Sequence, residues 1–433
     1  MKVAIVGGGL CGLGAAYALA KAGHQTTVFE SQPQLGGQVA TFDVGGEPLE
    51  VFYHHMFTGD TELLDLLREL GLSDDLEWLD SKVGFFYGGR IYPFVTPLEL
   101  LRFSPLSLPD RVRLGLLALR LRGRADWQSF EGTTAKEWII ANAGQRVYDI
   151  VWGPLLRGKF GERADDVSMV WFWGKIRVRF TSRQGSAQRE RLGYLRGSFG
   201  RMVTALEQAT RQRGGEARVG APARRIVVAG GRAVGVATDG GEHTGFDAVV
   251  ATVPNYAFLE MAPDLAGDYA ERLRSVAYQG AMCLALTLKQ SVMPTYWLNI
   301  GDTAMPFVAA IEHTNLISPQ RYGGKRVLYL SNYVTTSHRL WRLDADALLA
   351  EYVPGLRRLN PAFDASWVEG YRLFKDASGQ PVVTTHYSRR LVEHQTPIRG
   401  LFLANTAQIY PQDRGMNYAL RLGRQVAELV AAG

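Results

Sequence analysis

Apolar and small residues at the start of the chain follow first the pattern of a buried strand and then the spacing of a helix. Residues 2–6 are almost entirely apolar, as in a short strand buried on both faces of a parallel sheet. From Leu13 onward, alanines and leucines recur at helical spacing until Gly23, which stands where a glycine commonly ends a helix. Residues 26–30 are β-branched and aromatic and end in a carboxylate. The pattern predicts a strand, a glycine turn, a helix and a second, parallel strand.

Later apolar patterns predict further helices and strands. Residues 60–72 have the pattern of an amphipathic helix, and residues 97–127 alternate proline breaks with apolar helix. Residues 197–240 predict a helix, a strand and a β-hairpin. Residues 309–334 predict two strands joined by a turn, and residues 401–404 predict a final strand before the last helix. No internal repeat or low-complexity linker interrupts this order.

The turn of the first unit carries a glycine pattern that suits a dinucleotide. Gly7, Gly9 and Gly12 satisfy G-x-G-x-x-G, and Glu30 ends the second strand. Gly7 permits the tight turn, Gly9 lets the backbone approach a pyrophosphate, and Gly12 lets the helix pack close to the sheet. Glu30 suits hydrogen bonds from a ribose that has a free 2′-hydroxyl. The nucleotide-binding residues predicted from this unit are Gly7, Gly9, Leu10, Cys11, Gly12, Glu30 and Ser31.

A second glycine pair follows the acid. Gly36 and Gly37 stand a few residues beyond Glu30, and this extended motif resembles FAD proteins of the amine-oxidase, protoporphyrinogen-oxidase and phytoene-desaturase superfamily. The resemblance implies that the pair lets the backbone approach the FAD diphosphate. The superfamily usually carries Arg after the pair, where this chain has Gln38, so one charge partner of the diphosphate is missing.

Two later stretches support the same resemblance. A backbone position that matches Ala223 holds the adenine in the superfamily. The superfamily usually carries Gly-Asp after its last strand, and the Asp holds the ribityl chain. This chain has Asn405 and Thr406 there, which offer a hydroxyl uncharged hydrogen bonds. The resemblance also places the start of the last helix at the flavin ring, through the residues Gly415, Met416 and Asn417.

The resemblance implies an α/β fold, with a GR2-type Rossmann FAD-binding domain and an inserted α+β substrate domain. The FAD-binding domain would comprise residues 1–60, 191–255 and 386–433, because the superfamily builds it from separated segments. The substrate domain would comprise residues 61–190, which are mainly helical, and residues 256–385, which form an antiparallel sheet. The inner face of that sheet usually covers the flavin.

Composition narrows the class of protein. The 433 residues are 46% hydrophobic and 21% charged, which is typical of soluble globular proteins and argues against disorder or an integral membrane protein. Residues 3–20 resemble a secretory signal, but their glycines and the intact strand–turn–helix pattern argue against cleavage. The two cysteines suit a reducing cytoplasm. Because no cysteine follows Cys283, we expect FAD to be held non-covalently.

Histidines supply the candidate catalytic groups. The resemblance places His54 and His55 beside the isoalloxazine, and their His-x-Phe pattern is similar to that of UDP-galactopyranose mutases. An imidazole there would hydrogen-bond the flavin or shuttle a proton near neutral pH, and a purely structural pair is the alternative. His313, on the predicted strand pair, is either a pocket residue or a core histidine. Adjacent histidines provide too few ligands for a metal ion, so no metal site is predicted.

Basic residues interleave with apolar residues in two stretches. Residues 148–180 set tryptophans beside cations, which would line a cavity for a flat or phosphorylated substrate or form a helical core with a basic exterior. Residues 111–124 alternate arginines with leucines, which suits an anionic membrane or a solvated helix face. No nucleic-acid module accompanies the net charge of +6, so no nucleic-acid partner is predicted, and peripheral membrane contact stays open. The first stretch holds Trp152, Trp171, Trp173, Arg157, Lys159, Lys175, Arg177 and Arg179.

Together, the residues and the resemblance predict an FAD-dependent oxidoreductase that removes a hydride from a C–N or C–C bond of a lipophilic small molecule. Oxygen, a quinone or another carrier would accept the electrons. Two alternatives stay open: a redox-neutral enzyme acting on a nucleotide sugar, similar to UDP-galactopyranose mutase, and a flavin-stabilised binding protein without catalysis. The predicted location is cytoplasmic.

Overall fold

A computed structural model describes residues 1–181, 183–184 and 189–433. Within them, the strands are β1 (Lys2–Val6), β2 (Gln25–Phe29), β3 (Thr41–Val44), β4 (Glu47–Glu50), β5 (Leu76–Asp80), β6 (Val83–Tyr87), β7 (Arg90–Pro93), β8 (Arg183–Gln184), β9 (Arg189–Leu195), β10 (Glu216–Arg218), β11 (Ala223–Ala229), β12 (Arg232–Thr238), β13 (Gly241–Thr244), β14 (Ala248–Ala251), β15 (Tyr278–Leu288), β16 (Trp297–Ile300), β17 (Ala309–Glu312), β18 (Arg326–Val334), β19 (Val368–Pro381) and β20 (Leu401–Leu403). The helices are α1 (Leu10–Lys21), α2 (Thr61–Glu69), α3 (Pro97–Leu101), α4 (Leu108–Arg122), α5 (Ala135–Ala143), α6 (Gln145–Val147), α7 (Gly153–Phe160), α8 (Met169–Thr181), α9 (Gly200–Arg211), α10 (Asn255–Met261), α11 (Gly267–Arg274), α12 (Ala345–Leu359) and α13 (Met416–Ala432).

Five strands form a parallel sheet in the order β10-β2-β1-β14-β20, which joins distant parts of the chain. Alternate residues of β1 enter different cores, because successive side chains of a strand point to opposite faces. Val3 and Ile5 pack with α1 and α13, whereas Ala4 and Val6 pack with the three-stranded sheet β11-β12-β13. Both faces are therefore covered, as the uninterrupted apolar run predicts. The predicted α/β class is confirmed.

The predicted boundaries of the first unit need small corrections. The helix predicted from Leu13 begins at Leu10, directly after the glycine turn, because residues 10–12 already form its first turn. The second strand is Gln25–Phe29, so Glu30 lies just beyond it. Gly23 has φ +82°, the left-handed conformation expected of a helix-ending glycine.

The second large sheet has seven strands, in the order β19-β15-β18-β17-β16-β6-β7. Its pairs are antiparallel except for β6 and β16, which run parallel. The predicted strand pair in residues 309–334 forms β17 and β18 of this sheet. Strands β6 and β7 come from residues 61–190, so this predicted helical segment also supplies one edge of the sheet.

Helices α4 to α8 pack together around aromatic side chains on one side of the seven-stranded sheet. Trp171 and Trp173 are buried in this helical core, as one of the two sequence alternatives proposed. A π-helical turn at Tyr148–Trp152 leads into α7, and such turns often accompany functional sites. In the described part of the chain, every helix is too short or too polar to cross a bilayer.

Candidate functional site

A cavity of about 360 Å³ lies between the start of α13, helices α7 and α8, and the inner face of the seven-stranded sheet. Its wall is mostly aromatic and aliphatic, with a small number of charged groups. Eleven residues named in the sequence analysis line it: Gln38, His54, His55, Trp152, Lys159, Trp171, Lys175, Arg179, Gly415, Met416 and Asn417. The cavity therefore joins residues from both ends of the chain.

The glycine loop has the geometry that a diphosphate requires. Gly7 has φ +107°, and a Cβ on Gly12 would lie 2.0 Å from the Gly7 carbonyl oxygen, so neither position accepts a side chain. Gly9 has no neighbour within 4 Å of a Cβ position, so the space beside it is open. Gly9 caps α1 without a side chain, and the first-turn amides of Leu10, Cys11 and Gly12 are available there. These amides suit the FAD diphosphate.

Glu30 ties the glycine loop to the end of β2. Its buried carboxylate accepts hydrogen bonds from the amides of Gly8 at 2.6 Å and Gln32 at 2.7 Å, and from the Ser31 hydroxyl at 3.1 Å. Each carboxylate oxygen has more than one acceptor position, so a ribose hydroxyl can still donate to Glu30. The nearby Ala221 amide donates to the Glu30 carbonyl oxygen at 2.8 Å, which brings the start of β11, with Ala223, to this end of the sheet.

The second glycine pair lies directly against the first loop. The Gly36 amide donates to the Gly8 carbonyl oxygen at 2.8 Å, and a Cβ on Gly37 would lie 3.2 Å from the Gly9 Cα. Both glycines have positive φ, +115° and +57°. The pair and the loop therefore form one glycine-lined cradle, which fits the close backbone approach expected for a diphosphate.

Gln38 stands where the superfamily usually carries Arg, and the structure brings a different arginine to it. The Gln38 amide nitrogen donates to Asp376 Oδ2 at 2.6 Å, and its Oε1 accepts from Arg414 Nη1 at 3.1 Å. Positive charge is thus present beside Gln38, but it comes from a residue near the C-terminus. No local sequence pattern linked Arg414 to Gln38.

Asn405 has a structural role that the resemblance did not imply. Its Nδ2 donates to the Val253 carbonyl oxygen at 2.8 Å and to Asn255 Oδ1 at 2.9 Å, and its Oδ1 accepts from the Ala407 amide at 3.0 Å. Both side-chain N–H groups are therefore used to hold the loop after β20, and neither is left to donate to a ribityl hydroxyl. The adjacent Thr406 is half-buried.

The N-terminal end of α13 faces the cavity. Gly415 precedes the helix, and the aligned peptide dipoles of its 17 residues place partial positive charge at this end. Asn417 is held by the Leu63 amide, which donates to its Oδ1 at 3.2 Å. This end of α13 suits an electron-rich edge of the flavin ring.

His54 and His55 line the cavity, but both are uncharged near neutral pH. His54 Nδ1 donates to the Phe52 carbonyl oxygen at 2.7 Å, because a carbonyl can only accept. This leaves His54 Nε2 as an acceptor. Burial, with nearby Arg414, lowers the pKa of His54 to about 4. Burial and Arg179 lower the pKa of His55 to about 3, and its Nδ1 is hydrogen-bonded to the Tyr296 hydroxyl at 3.1 Å. Neither histidine titrates in the range expected of a neutral-pH proton shuttle.

His313 does not line the cavity. Its Nε2 is hydrogen-bonded to the Tyr322 hydroxyl at 2.8 Å, and burial lowers its pKa to about 3. Its ring packs against Tyr194, which donates to the buried carboxylate of Glu50 at 2.8 Å. His313 therefore belongs to a core cluster, which was the second of the two sequence interpretations.

A charged cluster at one end of the cavity was only partly foreseen. The Asp413 Oδ2 lies 2.7 Å from Lys175 Nζ and 3.7 Å from Lys159 Nζ. Its Oδ1 accepts from Trp171 Nε1 at 2.8 Å and from Gln380 Nε2 at 3.0 Å. Burial would raise the pKa of Asp413, but Lys175, Lys159 and Arg414 together hold it below its usual range. Burial lowers the pKa of Lys159 to about 8, against the opposing effect of Asp413.

Metal ligands and thiols are two further kinds of candidate reactive group among the described residues. The described residues contain no group of three histidines, cysteines or carboxylates that could hold a metal ion. Cys11 donates to the Ala404 carbonyl oxygen at 3.3 Å and Cys283 is fully buried in β15, so neither thiol lines the cavity.

Comparison with known proteins identifies the family. The sequence model described as "Flavin containing amine oxidoreductase" matches residues 10–431. The chain is similar to the chloroplastic/chromoplastic 15-cis-phytoene desaturase of Narcissus pseudonarcissus, with 31% identity over 187 residues, which cover 39% of this chain and 33% of that protein. It is 27% identical to the Synechococcus elongatus 15-cis-phytoene desaturase over 246 residues, which cover 53% of this chain and 51% of that protein. The chain thus spans about a third to a half of the length of these relatives.

Solved structures share the whole fold at low sequence identity. A candidate protoporphyrinogen oxidase from Exiguobacterium sp. 255-15 superposes with a TM-score of 0.79 at 17% identity, covering 100% of this chain and 98% of that one. Reduced UDP-galactopyranose mutase gives a TM-score of 0.77 at 17% identity, with 100% and 95% covered. A putrescine oxidase variant gives 0.72 at 17% identity, with 100% and 98% covered.

These matches confirm the resemblance, the flavoprotein fold and the FAD cofactor that the sequence predicted. The family match also favours catalysis over the binding-protein alternative. The chain belongs to the flavin-containing amine oxidoreductase family.

Proposed function

We propose that this enzyme removes a hydride from a C–N or C–C bond of a lipophilic small molecule. The observation that carries the proposal is the apolar wall of the cavity, which meets the flavin-binding end of α13. A polar substrate would leave this wall without matching contacts, whereas an apolar one would bury surface at about 25 cal/mol per Å². The wall includes Phe52, Phe57, Phe94, Trp152, Leu155 and Trp297.

The protein's own groups bind the cofactor, orient the substrate and exclude water from the reacting bond. The amides at the start of α1 and the cradle of Gly9 and Gly37 suit the diphosphate, and Glu30 suits the ribose. Bound FAD supplies the two-electron acceptor. His54, uncharged and with Nε2 free to accept, orients a donor in the cavity rather than moving a proton through its own titration. The aromatic wall keeps water from the reacting bond.

The names of relatives support the two bond types without choosing between them. The phytoene desaturases support attack on a C–C bond, and the family description and putrescine oxidase support attack on a C–N bond. The test is anaerobic mixing of the oxidised holoenzyme with linear isoprenoids, long-chain amines and putrescine, followed by the visible flavin absorbance. We expect bleaching by a lipophilic compound and none by putrescine. Bleaching by putrescine alone would refute the lipophilic assignment.

A second candidate is a redox-neutral reaction on a nucleotide sugar. The cationic end of the cavity, with Lys159, Lys175 and Arg414, supports it because these side chains suit a diphosphate. Its test is dithionite-reduced holoenzyme with UDP-galactopyranose, analysed by chromatography. An isomeric nucleotide sugar and unchanged total reducing equivalents would favour this candidate over hydride removal.

We further propose that α3 and α4 rest on an anionic membrane, from which a lipophilic substrate would enter. Six apolar residues on these helices are strongly exposed, from 45% for Leu101 to 64% for Leu108. Exposed arginines lie beside them, which gives charge complementarity to anionic lipid headgroups. Helix α3 begins three residues after Phe94, a cavity residue. The apolar residues are Leu98, Leu101, Leu108, Val112, Leu116 and Leu119, and the arginines are Arg102, Arg113, Arg120, Arg122 and Arg124.

Vesicle sedimentation tests this surface. The holoenzyme should pellet with phosphatidylglycerol vesicles and much less with phosphatidylcholine vesicles, and Leu116→Glu should weaken the binding at least about fivefold. The matched control is Leu429→Glu on α13, since Leu429 is 46% exposed and Leu116 is 47% exposed. Equal loss in both variants, or no pelleting of the unaltered enzyme, would refute the proposal.

A further inference from the structure

The cavity carries more positive than negative charge. Among the described residues that line it, the cations are Lys159, Lys175 and Arg414, together with Arg179, which has a further partner, and the carboxylates are Asp60 and Asp413. One of those carboxylates is engaged elsewhere, because Asp60 accepts from the Phe57 amide at 2.8 Å. Burial raises the pKa of Asp60 to about 6, so this carboxylate is still mostly ionised at pH 7, and the cationic side chains outnumber the carboxylates without any discount for Asp60. Cations in a low-dielectric site are costly unless an anion accompanies them.

Asp413 is the common partner of the two lysines, and its capacity is limited. Lys175 makes the close contact at 2.7 Å, whereas Lys159 stands off at 3.7 Å. Lys159 Nζ lies 4.9 Å from the centre of the Tyr333 ring, on the cavity side of the cluster. An ammonium group has three donors, so Lys159 can still donate to a ligand.

Arg414 is hydrogen-bonded to neutral acceptors within the described residues. Nε donates to Gln380 Oε1 at 3.0 Å, Nη1 to Gln38 Oε1 at 3.1 Å, and Nη2 to the Tyr333 hydroxyl at 3.1 Å. These three bonds hold the guanidinium in place without neutralising it, and Asp413 and Asp376 attract it from a greater distance. A guanidinium has five N–H donors, so two remain after these three bonds.

The apolar side chains that line the cavity have a different chemistry. Trp152, Leu155, Phe172 and Trp297 offer aromatic and aliphatic surface without charge. A pure hydrocarbon would cover this surface and leave the cationic end without an anion. A small anion alone would leave the apolar wall unfilled. One molecule with an apolar body and an anionic head matches both ends.

We propose that the substrate is an amphipathic molecule whose anionic head, a carboxylate or a phosphate, binds to Lys159, Lys175 and Arg414 while its apolar body lies along the aromatic wall. This rests on the proposed function, since it specifies the substrate of the same cavity. The head anchors the molecule at one end, so the bond to be oxidised is fixed by its distance from the head. Positional selectivity would follow from this anchoring.

The test is titration calorimetry on the oxidised holoenzyme, with four ligands that share one alkyl chain: octanoate, octyl phosphate, octan-1-ol and octylammonium. At least one anionic ligand should bind about tenfold or more tightly than the alcohol and the ammonium ion. The comparison of octanoate with octyl phosphate tells which head group fits better. Equal affinities for octanoate, octyl phosphate and octan-1-ol would overturn the proposal.

Variants of the two lysines test whether they cause the preference for anionic ligands. Lys159→Met and Lys175→Met should each reduce the preference for the anionic ligand at least about fivefold and leave the affinity for octan-1-ol unchanged. Methionine retains the apolar stem, and after either single change Asp413 still faces the other lysine and Arg414. The matched control is Lys325→Met, because Lys325 and Lys175 have the same side-chain exposure, 41%, and Lys325 pairs with Glu369 away from the cavity. A preference that survives in the Lys159→Met/Lys175→Met double variant would overturn the assignment.

Failure of this inference is separable from failure of the proposed function. The titrations use oxidised enzyme and need no turnover, whereas hydride removal is followed by flavin bleaching. Bleaching by a lipophilic substrate without any preference for anionic ligands would leave the function and remove the head-group site. If the lysine variants changed the flavin reduction potential but not the ligand preference, the cations would serve the flavin instead.

Discussion

Replacing Asp413 by Asn removes one charge from the cavity cluster and little else. The Asn Oδ1 can still accept from Trp171 and Gln380, which bind the Asp413 Oδ1 at 2.8 Å and 3.0 Å. The change therefore isolates the ionic contacts of Asp413 Oδ2 with Lys175 and Lys159. Removing one partner of a buried ion pair typically costs about 3–5 kcal/mol.

The expected cost can be divided between the two lysines. With Asp413 present, the pKa of Lys159 is about 8, and without it the pKa falls further. At pH 7 that fall costs at most about 1.4 kcal/mol, because Lys159 then releases its proton and the penalty stops growing. The closer contact, with Lys175, adds only about 1 kcal/mol, because this side chain is 41% exposed and water solvates it once Asp413 is neutral. We expect Asp413→Asn to lower the free energy of unfolding by about 2 kcal/mol at pH 7.

The same reasoning fixes the sign of the pH dependence. The Lys159 share of the penalty vanishes well above pH 8, where Lys159 is deprotonated in both proteins. At pH 6 that share approaches about 2.7 kcal/mol, since the pH is then about two units below the pKa of Lys159 in the unaltered enzyme. The loss of stability should therefore grow as the pH falls from 8 to 6.

Urea unfolding of both proteins, with excess FAD, measures this difference. The control is Glu369→Gln, which breaks the exposed 3.9 Å pair with Lys325 and should cost less than about 0.5 kcal/mol. A loss below about 1 kcal/mol at pH 7 for Asp413→Asn would refute the ionic account of the cluster. So would a loss that grows as the pH rises.

Three further changes test the cofactor site and the core. Gly9→Val should alter the free energy of unfolding of the apoprotein by less than about 1 kcal/mol, because φ of Gly9 is −75° and no atom lies within 4 Å of its Cβ position. The same change should weaken FAD binding at least about tenfold in a fluorescence titration. Unchanged FAD affinity would contradict the assignment of the glycine-lined cradle to the diphosphate. Gly423→Ala should destabilise the protein by about 1–3 kcal/mol in urea and weaken FAD binding, because its Cβ would lie 2.3 Å from the Cys11 carbonyl oxygen and would separate α13 from α1. Burial raises the pKa of Glu50 from 4.5 to about 7, so the folded state favours the protonated acid and loses stability as the pH rises from about 4.5 to 7. Glu50→Gln should abolish this loss, and its stability relative to the unaltered enzyme should rise by about 3 kcal/mol between pH 4.5 and 8; a constant difference would contradict the pKa.

The sequence was most informative where one short segment contains both a secondary-structure element and the residues that require its geometry. The βαβ unit, the glycine loop and Glu30 all lie within the first thirty residues, and each has a geometric requirement that residue type alone reveals. The edge strands β6 and β7 were missed although a local signal existed. Gly88 and Gly89 have φ of +58° and +77°, as a tight hairpin turn requires, and they separate two apolar runs.

The charged end of the cavity had no such local signal. Asp413 and Arg414 meet Lys159 and Lys175 across more than two hundred residues of chain, and only the three-dimensional fold brings them together. His313 is the opposite case, a residue that the sequence proposed for the cavity and that lies outside it. It was a candidate for the pocket, but it lies in a short turn directly after β17, and its ring contacts Tyr322 and Tyr194 in a neighbouring core. The role of such a histidine depends on how deeply it is buried and on its hydrogen-bond partner, and the sequence alone specifies neither.

The central claim is hydride removal from a substrate in the cavity, and a single anaerobic turnover tests it most directly. A stoichiometric amount of a lipophilic substrate that bleaches the flavin would be recovered and analysed by mass spectrometry. The account predicts one equivalent of reduced flavin and a product that has lost two hydrogen atoms. For a C–C bond this is the desaturated molecule, and for a C–N bond it is the imine or the carbonyl compound that the imine gives on hydrolysis. Recovery of an isomer with unchanged mass, or of the intact substrate with oxidised flavin from every lipophilic compound, would contradict it.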